Sequence, residues 1–149
     1  MNKLTSIAEC RKYKQLSNSI KPEIFEQYIL DAQIQDLAEI IPVKLFDLLI
    51  YGDVTEHKDL IEGSSFIVDG VQVSHVGLSC VVAHYSYARY MLYGSVVDTP
   101  FSQVEKLNGA SSRPVEQNTK MQLYKINRNT AFSYFRSVER FLHNSEKYK

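Results

Sequence analysis

Apolar positions recur along this chain at helical spacing almost throughout, with a single stretch where they alternate instead. Thr5 or Ser6 can cap a first helix over residues 7–15. Glu9, three places after Ser6, completes a capping box, and Ser17-Asn18-Ser19 ends the helix. Pro22 belongs in the first turn of the next helix, where its missing N–H costs nothing. Glu23 and Glu26 favour the same end through the helix dipole. Phe25, Ile29 and Ala32 make one stripe there, and Leu30, Ile34, Leu37 and Ile41 make another beside it. Pro42 closes this helix or opens the next, a short apolar one over residues 43–50 that Gly52 stops. Residues 53–62 are polar and predict a turn or two of helix. Residues 65–73 then alternate around Asp69-Gly70, a two-residue hairpin signal and the only convincing β in the sequence.

Leu78–Tyr93 predicts a helix ended by Gly94. It is apolar on nearly every side: from residue 76 to residue 97 the only formal charge is Arg89. A surface helix keeps one face polar, so this one is expected to need partners on more than one side. The same pattern also fits an ordinary central core helix rich in tyrosine. Residues 95–112 follow as an extended arm or long loop, because Pro100 forbids helix and Asn108-Gly109-Ala110-Ser111-Ser112 is turn chemistry. Phe101, Val104 and Leu107 recur at period three, as though the arm were held against something. Ser112 and Pro114 suit the start of a last helix. Met121, Tyr124, Ala131, Phe135, Val138 and Leu142 share one face of it, and Lys125, Arg128, Arg136 and Arg140 lie on an adjacent face. Residues 144–149 are polar and are expected to fray. The pattern as a whole predicts a mostly all-α domain over residues 1–149: four or five helices, one small β-hairpin and an extended arm.

Composition narrows the function classes. The 149 residues carry 17 Lys/Arg against 17 Asp/Glu, and a zero net charge argues against a strongly electrostatic nucleic-acid binder. The charge is polarised, however: residues 1–70 hold 7 basic against 12 acidic side chains, and residues 71–149 hold 10 against 5. Such a chain can stack acidic face to basic face with copies of itself, although two solvated faces would give the same numbers. Two distant cysteines fit a reducing compartment. With no secretion signal and no apolar run near the ~20 residues of a spanning helix, the expectation is a soluble protein made in a cytoplasm, with no membrane partner.

Candidate chemistry is thin. Cys80 and His84 share a helix face near His75, yet match no zinc signature and lack an evident fourth ligand. A buried cysteine beside a polar-tipped histidine is the simpler reading. Nucleophilic catalysis would need an orienting carboxylate that the neighbourhood does not supply. Glu56, Asp59 and Glu62 read as solvent-facing, and the six glycines are isolated, so no phosphate loop exists. No catalytic residue, metal or cofactor is assigned. The basic set Lys125, Arg128, Arg136 and Arg140 reads as a subunit contact, a contact to DNA backbone, or a solvated helix face.

The order of these elements resembles the head–tail connector (portal adaptor) proteins of tailed bacteriophages, in the version found in phages of Bacteroidota, including crAss-like phages. The likeness runs through residues 28–37 (YILDAQIQDL), residues 40–49 (IIPVKLFDLL) and the Asp69-Gly70 hairpin. It continues through Gly77-Leu78 and residues 83–90 (AHYSYARY), then Asp98-Thr99-Pro100-Phe101 and Val104-Glu105-Lys106, and closes at Phe141-Leu142-His143-Asn144. Ile41-Pro42 departs from the Leu-Gly pair expected before the short apolar helix. The resemblance implies a structural virion protein without catalytic residues, a ring of about twelve copies on the portal that extends the DNA channel and docks tail or neck proteins.

On that reading Tyr90, Tyr93, Phe101, Val104 and Leu107 are the expected subunit or portal interface. Lys125, Arg128, Arg136 and Arg140 are the expected intersubunit or channel-facing charges, with non-specific contact to genomic DNA. The protein would sit at the virion neck after synthesis in the host bacterial cytoplasm. Rival readings are a monomeric helical binding or regulatory module, a second-tier neck ring that does not touch the portal, and a small metal- or Cys-dependent enzyme.

Overall fold

Ser6 caps the first helix, its hydroxyl accepting the Glu9 N–H at 3.2 Å, while the Glu9 carboxylate pairs with Lys12 at 2.6 Å, so half of the expected capping box forms; α1 runs Ile7–Tyr13. The computed structural model describes residues 1–94, 96–98, 103–105 and 117–149. Pro22 opens α2, which begins as Pro22–Asp31, widens through a π-helical turn (Ala32–Leu37) and closes on one α turn (Ala38–Ile40). Ile41 is extended, as the residue before a proline prefers, and α3 (Val43–Tyr51) follows Pro42. The Gly52 N–H bonds the Leu48 carbonyl at 3.0 Å and ends it. A 3₁₀ turn (Val54–His57), capped by Asp53, leads into α4 (Lys58–Glu62).

Strands β1 (Ser64–Val68) and β2 (Val71–His75) pair antiparallel. Asp69 (φ 51°) and Gly70 (φ 79°) both sit at positive φ, as a two-residue type I′ turn demands. Then come α5 (Leu78–Tyr93) and, at the C-terminal end, α6 (Gln117–Asn144), the longest helix described. The fold is thus mostly helical with a small hairpin. Between α5 and α6, β3 (Val96–Asp98) and β4 (Gln103–Glu105) form a second antiparallel pair, Val97 opposite Val104. The stretch expected to be an extended arm therefore doubles back here.

Helix α5 lies at the centre. Leu78, Val81, Val82, Ala83 and Tyr85 are buried in one core with Phe25, Ile29, Leu37, Leu49, Leu60, Phe135 and Val138. Burying the valine, leucine, isoleucine and phenylalanine side chains among these stabilises by roughly 1.5–3 kcal/mol each. The expectation that this helix needs outside partners is overturned. Helices α1, α2, α4 and α6 of the same chain enclose it, so its all-round apolarity is the signature of a core helix.

The C-terminus also differs from expectation. A last 3₁₀ turn (Glu146–Tyr148) docks instead of fraying. The Tyr148 hydroxyl donates to Asp59 Oδ1 at 3.0 Å and accepts from His57 Nδ1 at 3.0 Å, and its ring packs on Phe141. Lys147 Nζ donates to the Glu56 carbonyl and lies 3.6 Å from Asp59.

Candidate functional site

Polar groups inside the bundle are the first place to look for chemistry. The π turn of α2 carries Gln33 and Asp36, both buried. Gln33 Oε1 accepts the Leu4 N–H at 2.7 Å, and its Nε2 donates to the Asn2 carbonyl at 2.9 Å, so this amide ties down the N-terminal strand of chain. Asp36 receives Arg89 from α5 at two points, Nε to Oδ2 at 2.8 Å and Nη2 to Oδ1 at 3.1 Å. Arg128 of α6 donates Nη1 to the same carboxylate and to the Tyr124 hydroxyl. Its guanidinium also lies over the Tyr85 and Tyr124 rings, 5.3 Å from each centroid. Burial works against the charge on Arg89, and the Asp36 carboxylate more than offsets it, raising the arginine's pKa. This node clamps α2, α5 and α6 together. Its function is positional, because every oxygen of Asp36 is taken up by arginine.

Arg128 was expected at an intersubunit or channel face, and the structure turns it inward to Asp36 instead. A half-buried guanidinium beside a buried carboxylate gains more there than in water. Lys125, Arg136 and Arg140 do remain exposed on α6, with Arg136 stacked over Phe132 at 5.5 Å.

Of the expected interface anchors, Tyr90 is half-buried. It packs on Phe25 (5.9 Å between centroids) and Tyr28 (6.3 Å), so most of its ring already has a partner in α2. Tyr93 is 49% exposed at the end of α5. Val104 lies in β4, where only the backbone is described, and Phe101 and Leu107 lie outside the described residues.

Cys80 and His84 do share a face of α5, with Sγ 3.6 Å from Nδ1. His84 Nδ1 bonds the Cys80 carbonyl at 2.8 Å, which uses the ring proton on the backbone. Tyr134 (4.8 Å between centroids) and Tyr13 (5.3 Å) cover the ring. Burial lowers the His84 pKa and raises that of Cys80. Both are therefore neutral at pH 7, the reverse of a thiolate–imidazolium pair. His75 stacks on Phe141 at 4.3 Å; Gly77 N–H donates to its Nδ1, so Nε2 carries the proton toward Ser64 Oγ at 2.9 Å. Among the described residues no three His, Cys, Asp or Glu side chains gather as a metal site. No described helix is long and apolar enough to cross a membrane.

The surface feature that sequence reasoning missed is on α3. Val43 is 80%, Tyr51 63% and Leu48 41% exposed. At ~100° per residue these fall within roughly 140° of one another, interleaved with the exposed charges of Asp47 and Lys44, so three large apolar side chains share a mixed face turned to solvent. Beside it runs a groove of about 710 Å³ lined by Ile40, Pro42, Leu45, Leu48, Leu142 and Tyr148, with Lys44, Lys147 and Lys149 along it. The signal was available: Leu45, Phe46, Leu49 and Ile50 already fill one stripe against the core, which leaves Val43, Leu48 and Tyr51 over.

The fold and its interior thus define a helical bundle whose buried ionic groups hold helices together and whose accessible features are apolar and charged surfaces. The chain belongs to DUF6712, a family of unknown function, whose model matches residues 34–149. No curated protein and no solved structure matches it significantly.

Proposed function

We propose that this chain is a structural assembly protein, a ring-forming head–tail connector at the portal vertex of a tailed bacteriophage. The observation that carries the reading is the set of exposed apolar side chains on α3 beside the groove. Val43, Leu48 and Tyr51 stay in water although the bundle has a complete core of its own. Apolar side chains concentrated on one exposed helix beside an apolar groove favour a protein partner. The sequence resemblance described above supplies the kind of partner, a portal or neck ring, and α3 falls inside the resembling segment 40–49. The buried His, Cys and Asp groups support a structural role, since each is already committed to a partner within the fold.

The test is to mix the purified chain with a portal ring and image the product by electron microscopy. A ring of density beneath the portal is expected. Leu48→Asp combined with Tyr51→Ser is expected to abolish docking while the circular dichroism spectrum stays that of the wild type. A wild-type chain that never binds the portal, or a doubly substituted chain that binds as well as wild type, rejects the reading.

A further inference from the structure

Helices α2 and α6 both pack on α5, and they do so on different sides. Tyr90 of α5 meets Phe25 and Tyr28 of α2, whereas His84 and Tyr85 meet Tyr134 and Arg128 of α6. Around α5 these contacts are about 120–140° apart. The outer faces of α2 and α6 consequently diverge.

Those outer faces are complementary. On α6, Lys125, Phe132, Arg136 and Arg140 fall within a sector of roughly 80°, opposite the buried Ala131, Phe135 and Val138. Glu139 is the only carboxylate in the 28 residues of this helix. Among the described residues, no carboxylate pairs with Lys125, Arg136 or Arg140. On α2, Glu23, Ile24, Gln27 and Asp31 fall within about 100°, opposite Phe25, Ile29 and Ala32. Neither Glu23 nor Asp31 pairs with a cation of the described residues. Each face also carries one large exposed apolar side chain, Ile24 on α2 and Phe132 on α6.

From this geometry we infer that the basic outer face of α6 in one copy docks on the acidic outer face of α2 in the next. The inference rests on the assembly reading and names its lateral contact. A second copy fits better than nucleic acid for two reasons. Phe132 and Ile24 need apolar cover that a phosphate backbone does not offer, and the chain itself supplies a matching acidic face. Two different surfaces that diverge across the body make a head-to-tail contact, which propagates and closes as a ring when the rotation allows. A two-fold dimer through α6 against α6, or α2 against α2, would bring like charges together, and the diverging faces keep α2 and α6 of one copy from both meeting a single partner.

The experiment is a charge swap read by sedimentation velocity, with and without a portal ring. One variant carries Arg136→Glu and Arg140→Glu, and the other carries Glu23→Lys and Asp31→Lys. Glu23, Arg136 and Arg140 are exposed and Asp31 is half-exposed, and circular dichroism checks that each variant folds. Each variant alone is expected to associate at least tenfold more weakly than wild type. An equimolar mixture is expected to recover, because an alternating array restores opposite charges at every junction. Wild-type association is expected to weaken as salt rises. The inference is overturned if either variant assembles like wild type, if the mixture fails to recover, or if wild type occupies a portal only as isolated copies. A variant that assembles normally but no longer retains duplex DNA overturns it in favour of a phosphate contact. Wild type that neither binds the portal nor associates removes the connector reading as well.

Discussion

Asp36 and Arg89 lie 53 positions apart in the chain and meet in a buried two-point ion pair that Arg128 joins from a third helix. Removing the carboxylate leaves Arg89 buried without its counter-charge. Asp36→Ala is therefore expected to cost about 3–5 kcal/mol, read from the shift in the urea midpoint. Asp36→Leu together with Arg89→Met should cost less than Asp36→Ala alone, since only the half-buried Arg128, and not the buried Arg89 as well, is then left without its counter-charge. A loss below about 1 kcal/mol for Asp36→Ala would mean that water replaces the carboxylate.

Gly77 precedes α5 at φ 85° and ψ 158°, a region almost closed to residues with a side chain. A Cβ there would also collide with the Ile61 carbonyl and the Gly63 backbone. Gly77→Ala is expected to cost at least about 2 kcal/mol in thermal or urea unfolding. Gly70, also at positive φ but with open space around it, should tolerate alanine for about 1 kcal/mol. Equal effects at the two positions would contradict the close approach at Gly77.

The docked C-terminus predicts that Tyr148→Phe loses about 1–2 kcal/mol, because the ring still covers Phe141 while Asp59 and His57 lose a shared partner. Hydrogen exchange at α4 should speed up in the same variant. Unchanged exchange there would show that the last turn contributes nothing to the α4 region.

Acid should destabilise the fold in a defined window. Burial lowers the pKa of both His75 and His84 from 6.5, so as pH falls the unfolded chain takes up protons before the folded one. Stability from these groups is full above pH 6.5 and is lost as pH drops through their lowered folded values. Urea midpoints measured from pH 7.5 to 4.5 should fall through that range, and His84→Gln should flatten the slope. A variant with the wild-type slope would exonerate His84.

Thiol chemistry offers a quick check on the core. Burial pushes Cys10 up to about 12 and raises Cys80 as well. A thiol reagent at pH 8 should leave both unmodified in the native protein and label both in denaturant. Fast native labelling of either would show that α1 opens readily from α5.

The elements that were legible in the sequence are the ones set by neighbours a few residues away. Ser6, Pro22, Gly52, Asp69-Gly70 and Gly94 act on backbone groups within one turn, so their identities suffice. Tail docking and the fate of Arg128 were not legible, because Tyr148 and Arg128 find their partners 89 to 92 positions away. Arg89 was a usable clue: a lone charge on an otherwise apolar helix implies a buried acid. Gln33 and Asp36 were another, since they continue the stripe of Phe25, Ile29 and Ala32 into polar residues. Neither clue identified its partner, because the π turn that aims Gln33 and Asp36 has no local sequence signature.

The amino-acid sequence by itself determined where helices start and stop, where the chain turns, and that α5 has no polar side, because those outcomes depend on short-range sterics, backbone hydrogen bonds and hydrophobic count. Only the tertiary structure decided that α5's apolar surface is consumed internally and that Val43, Leu48 and Tyr51 of α3 are left in water. Which apolar face gets covered depends on how many helices can pack around one another in space, a long-range geometric fact that spacing along the chain does not contain.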